Sequence, residues 1–126
     1  MAVSDTKTLG RIMVVDDQAG IRLLLNEILK GEGYVPFLAA NGGQALKLIQ
    51  EEDIVLVLLD MRIPGMAGTE ILKKIKELKP DIKVMIMTAY EDNEMMRDAM
   101  QNGAIACFSK PFDIAELVTA IKKEVV

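Results

Sequence analysis

The chain has 126 residues, 51% of them hydrophobic and 27% charged, which separates it from disordered sequences and allows one domain with a sizeable core. Its net charge of −4 comes from 15 basic and 19 acidic residues with no Lys/Arg block, so it has no electrostatic footprint for nucleic-acid phosphates. The absence of histidine excludes a Ser-His-Asp triad, a Cys-His pair and a His-ligated metal, leaving only a hard ion held by oxygen.

The opening "MAVSDTKTLG" has no apolar segment of the secretory kind, and residues 1–9 read as a short loose tail before a single domain over 10–126. "RIMVV" (11–15) is a first, β-rich run that stops at the pair Asp16-Asp17. Ile21, Leu24, Leu25, Ile28 and Leu29 then recur at helical spacing and end at Gly31 and Gly33. "YVPFLAA" (34–40) predicts a second strand, with Pro36 pointing to a sheet edge. Asn41 suits the cap of a helix carrying Ala45, Leu46 and Ile49.

"IVLVLL" (54–59) is apolar throughout, as in a strand covered on both faces, and Asp60 follows it. It is also the longest apolar run, far short of the ~18 residues of a membrane span. Beyond a Pro64-Gly65 turn, Ile71, Leu72, Ile75 and Leu78 form a helical stripe ended by Pro80. "KVMIM" (83–87) predicts a fourth strand followed by Thr88, and Glu94 to Asn102 a helix before Gly103. "AIACF" (104–108) predicts a fifth strand, with Lys110 just after it. Asp113 then suits the cap of a helix carrying Ile114, Leu117, Val118 and Ile121. The nine methionines read mostly as core filler, and the lone Cys107 excludes an internal disulfide and suits a reducing cytoplasm.

Five strand-helix units in a row predict an α/β fold, a doubly wound parallel sheet with helices on both faces. Such sheets bind ligands beyond the carboxyl ends of their strands. Here those ends carry Asp16, Asp17, Asp60, Thr88 and Lys110, groups that suit phosphoryl transfer. Two carboxylates ~5 Å apart repel by roughly 3 kcal/mol at an effective dielectric of ~20. A divalent cation removes that cost, and Mg²⁺ prefers carboxylate, carbonyl and water oxygens. Taken singly, each residue has a plainer role. The aspartate pair could begin a helix, Asp60 sit in a loop, Thr88 cap a turn and Lys110 face solvent. Their coincidence at strand ends favours a shared site.

The segments "VVDDQ", "LVLLDMRIPGMAG", "MIMTAY" and "FSKPFD", in this order and spacing, resemble the response regulator receiver domain over essentially the whole chain from Arg11. The resemblance implies the flavodoxin-like strand order 2-1-3-4-5 and no output domain after the fifth helix. It implies that Asp60 is the phosphoacceptor. It also implies that Asp17, Asp60 and the backbone carbonyl of Arg62 ligate Mg²⁺, with Asp16 acting largely through water. Thr88 would hydrogen-bond a phosphoryl oxygen, Lys110 would pair with the phosphoryl group, and the Lys110–Pro111 peptide would be cis. Within the family, "VDDQ", "GIR", "IMTAY" and "KPFDI" are most similar to single-domain regulators of the sporulation phosphorelay.

The resemblance further implies a sensor histidine kinase as donor, a helical-bundle histidine phosphotransferase as acceptor, and a phosphatase as a third partner. Gln18, Ile21, Leu24, Arg62, Tyr90, Pro111 and Phe112 would form the partner face, with the core as the competing place for Ile21 and Leu24. Tyr90 and Arg62 are expected to shield the acyl phosphate from water. Two positions depart from the pattern. Cys107 stands where many receivers carry an aromatic residue, and Ala67 replaces the usual acidic or amide residue of "PGMDG".

Three rival readings differ on specific residues. An Mg²⁺-dependent Asp-nucleophile phosphohydrolase of the haloacid dehalogenase type needs a second Asp two places after the nucleophile, where Arg62 stands. A flavodoxin-type binding module needs a donor-rich loop after the first strand, and "DDQAG" would repel phosphate. A pseudo-receiver acting by contact alone should lack a site residue, and none is missing. A stand-alone receiver of another two-component pathway remains the alternative within the family.

Overall fold

Each strand pattern is followed by a helical one, and a parallel neighbour can then be reached only by crossing a face of the sheet. A computed structural model of the chain describes residues 10–89 and 93–125 and has this architecture. The order is β1 (Arg11–Val15), α1 (Ala19–Gly31), β2 (Val35–Ala39), α2 (Gly42–Glu51), β3 (Ile54–Asp60), α3 (Gly68–Leu78), β4 (Lys83–Ala89), α4 (Asn93–Gln101), β5 (Ala106–Lys110) and α5 (Ile114–Glu124). The five strands are parallel in the order β2-β1-β3-β4-β5, so β2 with its Pro36 is an edge, as expected. The tail expected over residues 1–9 lies outside the described residues.

The sheet divides the apolar interior in two. Ile12, Val14, Leu56, Leu58, Met85 and Met87 pack with Leu25 and Leu29 of α1 and Leu117 and Ile121 of α5. On the other face, Met13, Val15, Val57, Leu59, Val84 and Ile86 pack with Ala45 and Ile49 of α2, Ile71, Leu72 and Ile75 of α3, and Ala99 of α4. The period-2 alternation of strand side chains produces this partition, and both faces are apolar because both are covered. Met13, Met61, Met85 and Met87 are buried, in line with a packing role.

The capping residues behave as their chemistry predicts. Asn41 Oδ1 accepts the Gln44 backbone N–H at 2.9 Å, while Gln44 Oε1 accepts the Ala40 N–H at 2.7 Å. Asp113 Oδ1 accepts the Glu116 N–H at 3.1 Å. Gly68 opens α3 hard against the preceding loop: a Cβ there would stand 2.6 Å from Met61 Cα and 2.7 Å from Met61 O. Only glycine allows that approach.

Three details differ from the sequence reading. β5 begins at Ala106 rather than 104, because Gly103 at φ +104° turns the chain and the Ala104 N–H closes α4 on Ala99 O at 3.0 Å. β3 and β4 run past the apolar runs 54–59 and 83–87, to Asp60 and Ala89, so Asp60 closes its strand as expected and Thr88 is one residue short of the end of its own. The apolar run 54–59 is not covered on both faces along its whole length: Val55 is 41% exposed, while its neighbour Ile54, on the opposite face, is buried.

Candidate functional site

At the carboxyl end of the sheet, β1 and β3 are adjacent and deliver Asp16 and Asp60 to one crevice. Asp16, Asp17 and Asp60 each offer a carboxylate oxygen, and these oxygens all lie within 4.8 Å of one another. Asp16 is fully buried and Asp60 nearly so, whereas Asp17 is exposed at the mouth. The pair does not cap the following helix: Gln18 occupies that place and makes no side-chain cap bond. Asp16 Oδ1 instead accepts the Gln18 N–H at 2.9 Å.

Lys110, the last residue of β5, reaches across the rim and joins the two buried acids. Its Nζ donates to Asp16 Oδ2 at 2.8 Å and to Asp60 Oδ2 at 3.0 Å. The Lys110–Pro111 peptide is cis, as expected. The Arg62 backbone N–H donates to Asp60 Oδ1 at 3.0 Å, so each Asp60 oxygen has one donor. Burial pushes the Asp60 carboxyl above its usual range. The Arg62 N–H and Lys110 pull it down, and Asp16 adds to the upward push. The Lys110 ammonium is held above its usual value by the hydrogen bonds and charges of Asp16 and Asp60, which outweigh the opposing effect of burial.

Thr88 is at the same rim but on the other side of the sheet. Alternation puts Asp16, Asp60 and Lys110 in register with Val14, Leu58 and Phe108, which pack in the α1–α5 half. Thr88 shares its register with Val84 and Ile86, in the α2–α4 half. Its hydroxyl is buried and donates to Met95 Sδ on α4 at 3.7 Å. The structure thus gathers Asp16, Asp17, Asp60 and Lys110 and leaves the Thr88 hydroxyl turned aside. Cys107, on β5, donates its S–H to Met96 O at 3.8 Å, and burial raises its thiol pKa.

Five of the seven residues expected on a partner face flank this crevice. Gln18, Ile21, Leu24, Pro111 and Phe112, with Lys110 and Ile114, line a groove of about 410 Å³ between α1 and the start of α5. Leu24 is 43% exposed rather than part of the core, and Ile21 is half-buried. Arg62 is exposed on the β3–α3 loop, and Tyr90 lies outside the described residues. Sequence reasoning missed Arg22, whose Nη1 donates to the Asp16 carbonyl at 2.6 Å and ties α1 to the acidic loop. Its acceptor is a backbone carbonyl, so residue type and charge pattern carry no signal for the contact. It also missed Met95, which no spacing rule connects to Thr88.

The donor set is oxygen-only and anionic in excess of its one lysine, which fits a hard divalent cation such as Mg²⁺. Residues 12–122 match the response regulator receiver domain. The chain belongs to that family. This receiver is 53% identical over 113 residues to sporulation initiation phosphotransferase F of Bacillus subtilis (strain 168), a match that covers 90% of the chain and 91% of the relative. It is 37% identical over 116 residues to the DNA-binding transcriptional regulator NtrC of Escherichia coli (strain K12), covering 92% of the receiver but 25% of that relative.

Solved structures agree with these matches. A CheY-like receiver domain protein from Methanospirillum hungatei superposes with a TM-score of 0.88 at 35% identity, over 92% of this receiver and 93% of that chain. Response regulator TrrA from Thermotoga maritima, crystallised in complex with Mg²⁺-BeF, superposes with a TM-score of 0.81 at 38% identity, over 90% and 97%. No helix among the described residues is long and apolar enough to cross a membrane.

Proposed function

We propose that this receiver is a phosphorelay carrier. It takes a phosphoryl group from a phosphohistidine on a sensor histidine kinase onto Asp60 and passes it to a histidine on a helical-bundle phosphotransferase. The observation that carries this reading is the shared lysine: Lys110 bridges Asp16 and Asp60, with Asp17 at the mouth of the same crevice. The identity to the Bacillus subtilis phosphotransferase supports a relay, and sporulation initiation as its setting. The cytoplasm is the expected compartment, with a phosphatase as a further partner.

In the forward step an Asp60 carboxylate oxygen attacks phosphorus in line with the P–N bond. That bond breaks, and its electron pair leaves on the donor imidazole nitrogen. Asp60 is held for this by the Arg62 N–H, which fixes Oδ1 and leaves Oδ2 toward Lys110. The Lys110 ammonium stays protonated and follows the developing charge from the carboxylate to the phosphoryl oxygens. Thr88, turned from Met95, would add a hydroxyl donor to one of those oxygens. Mg²⁺, when bound by Asp17, Asp60 and the Arg62 carbonyl, with Asp16 through water, supplies charge neutralisation of the transferring group. The α1–α5 groove offers exposed apolar surface to a helix of either partner, and Arg62 and Tyr90 shield the acyl phosphate from water.

The test is incubation with a phosphorylated histidine kinase and Mg²⁺, read by intact mass. Wild type should gain one phosphoryl group and Asp60→Asn none. A helical-bundle phosphotransferase added next should remove it. Gain without onward transfer would mark a stand-alone receiver that acts by contact. Equal gain by Asp60→Asn would refute Asp60 as the acceptor.

A further inference from the structure

We propose that Met95 is a positioning residue: its thioether holds the Thr88 hydroxyl turned away from Asp60 until a phosphoryl group competes for it. The inference rests on the reading of Asp60 as acceptor and adds a residue that the acidic crevice does not contain. Three observations carry it. Thr88 is fully buried, so its hydroxyl needs a protein acceptor, and Met95 Sδ stands at 3.7 Å. The strand register places Thr88 in the α2–α4 half while Asp16, Asp60 and Lys110 belong to the α1–α5 half. A threonine hydroxyl carries one proton, so it cannot donate to Met95 and to a phosphoryl oxygen at once.

The competition is graded by acceptor strength. A thioether is a weak acceptor, and a hydrogen bond to a charged phosphoryl oxygen is roughly twice as strong as a neutral one. Met95 therefore yields to the phosphoryl group, while a better acceptor at this position would resist it. Ala99 is the fully buried residue of α4 among those described, while Met95 and Met96 are partly buried against the same core, so Met95 is placed beside Thr88 by packing as well as by this contact.

The test uses a graded series: Met95→Leu removes the acceptor at nearly constant volume, and Met95→Gln supplies a stronger one. Phosphorylation by acetyl phosphate with Mg²⁺ is followed by intact mass. In this reaction Asp60 oxygen bonds to phosphorus as the P–O bond breaks and acetate leaves with the electron pair. The leucine variant should react about 2–5-fold faster than wild type and the glutamine variant slower by a similar factor, as expected for one neutral hydrogen bond. In a Thr88→Val background the three should become equal. A merely structural role would slow both variants or neither. Without Mg²⁺ or donor, Thr88→Val should also shift the Met95 ε-methyl ¹³C resonance.

Variants that change in the same direction, an ordering that survives Thr88→Val, or an unmoved methyl resonance would each overturn the proposal while leaving Asp60 as acceptor intact. A wild-type chain that gains no phosphoryl group, or gains it equally as Asp60→Asn, would overturn the acceptor reading and this inference with it.

Discussion

Replacing Asp60 by asparagine should stabilise the protein in EDTA, because the resting fold keeps a carboxylate where the fold itself would prefer a neutral group. At an effective dielectric of ~20, the Lys110 ammonium at 3.0 Å attracts Asp60 by about 5.5 kcal/mol. Asp16 and Asp17, with oxygens within 4.8 Å, each repel it by about 3.5 kcal/mol, less for exposed Asp17. These Coulomb contributions nearly cancel. Burial then decides, with Asp60 only 4% exposed, and it is the largest cause of the raised pKa. The neutral amide should be worth about 1–2 kcal/mol, the order of the cost of a buried, incompletely compensated group. For a chain of this size that is a melting temperature about 4–8 °C higher.

The dependence on pH follows from the direction of the shift. A carboxyl raised in the folded state burdens the fold above its folded pKa and is relieved as pH falls through that value toward the usual 3.8. The asparagine advantage should therefore be constant near neutrality and fade on acidification toward pH ~4. Mg²⁺ should reverse it, since an ion at 100 times its Kd stabilises the wild type by about 2.7 kcal/mol. Thermal melts of both proteins in EDTA at several pH values, and in Mg²⁺, measure all of this. An asparagine variant that melts lower in EDTA at neutral pH would refute the reasoning.

Gly68→Ala should cost about 1–3 kcal/mol in urea unfolding, because the new methyl meets the Met61 backbone, which cannot rotate away. Arg22→Gln should lower stability by about 1 kcal/mol in EDTA, through loss of the charged hydrogen bond to the Asp16 carbonyl. Leu24→Glu, which places a charge in the α1–α5 groove, should slow phosphoryl transfer from a histidine kinase at least tenfold, a loss of ~1.4 kcal/mol. Its phosphorylation by acetyl phosphate should be unchanged, so comparing the two donors by intact mass checks the groove directly.

The topology was legible because every apolar run was followed by a helical stripe, and such an alternation has few right-handed solutions. The crevice was legible for a related reason. Strands in parallel register bring their last residues to one rim, so Asp16, Asp60 and Lys110 could be grouped without knowing any contact. What escaped depends on side-chain direction at that rim. Position along β4 puts Thr88 at the rim, and its parity along the strand, which position alone does not show, directs the hydroxyl to the opposite face, against Met95. The start of β5 escaped because Ala104, apolar like a strand residue, closes the C-terminus of α4. Arg22 escaped because its partner is a backbone carbonyl, which leaves no mark in composition or charge pattern.

The split of the interior by the sheet gives the molecule two compartments that share a single border. Asp16, Asp60, Lys110 and the α1–α5 groove belong to the first, and Thr88 with α4 to the second. On the relay reading proposed above, substitutions along the α1–α5 groove would accumulate against new partners without retuning the other layer. A carrier of that kind would exchange one set of correspondents for another while the layer that holds Thr88 and α4 kept its packing.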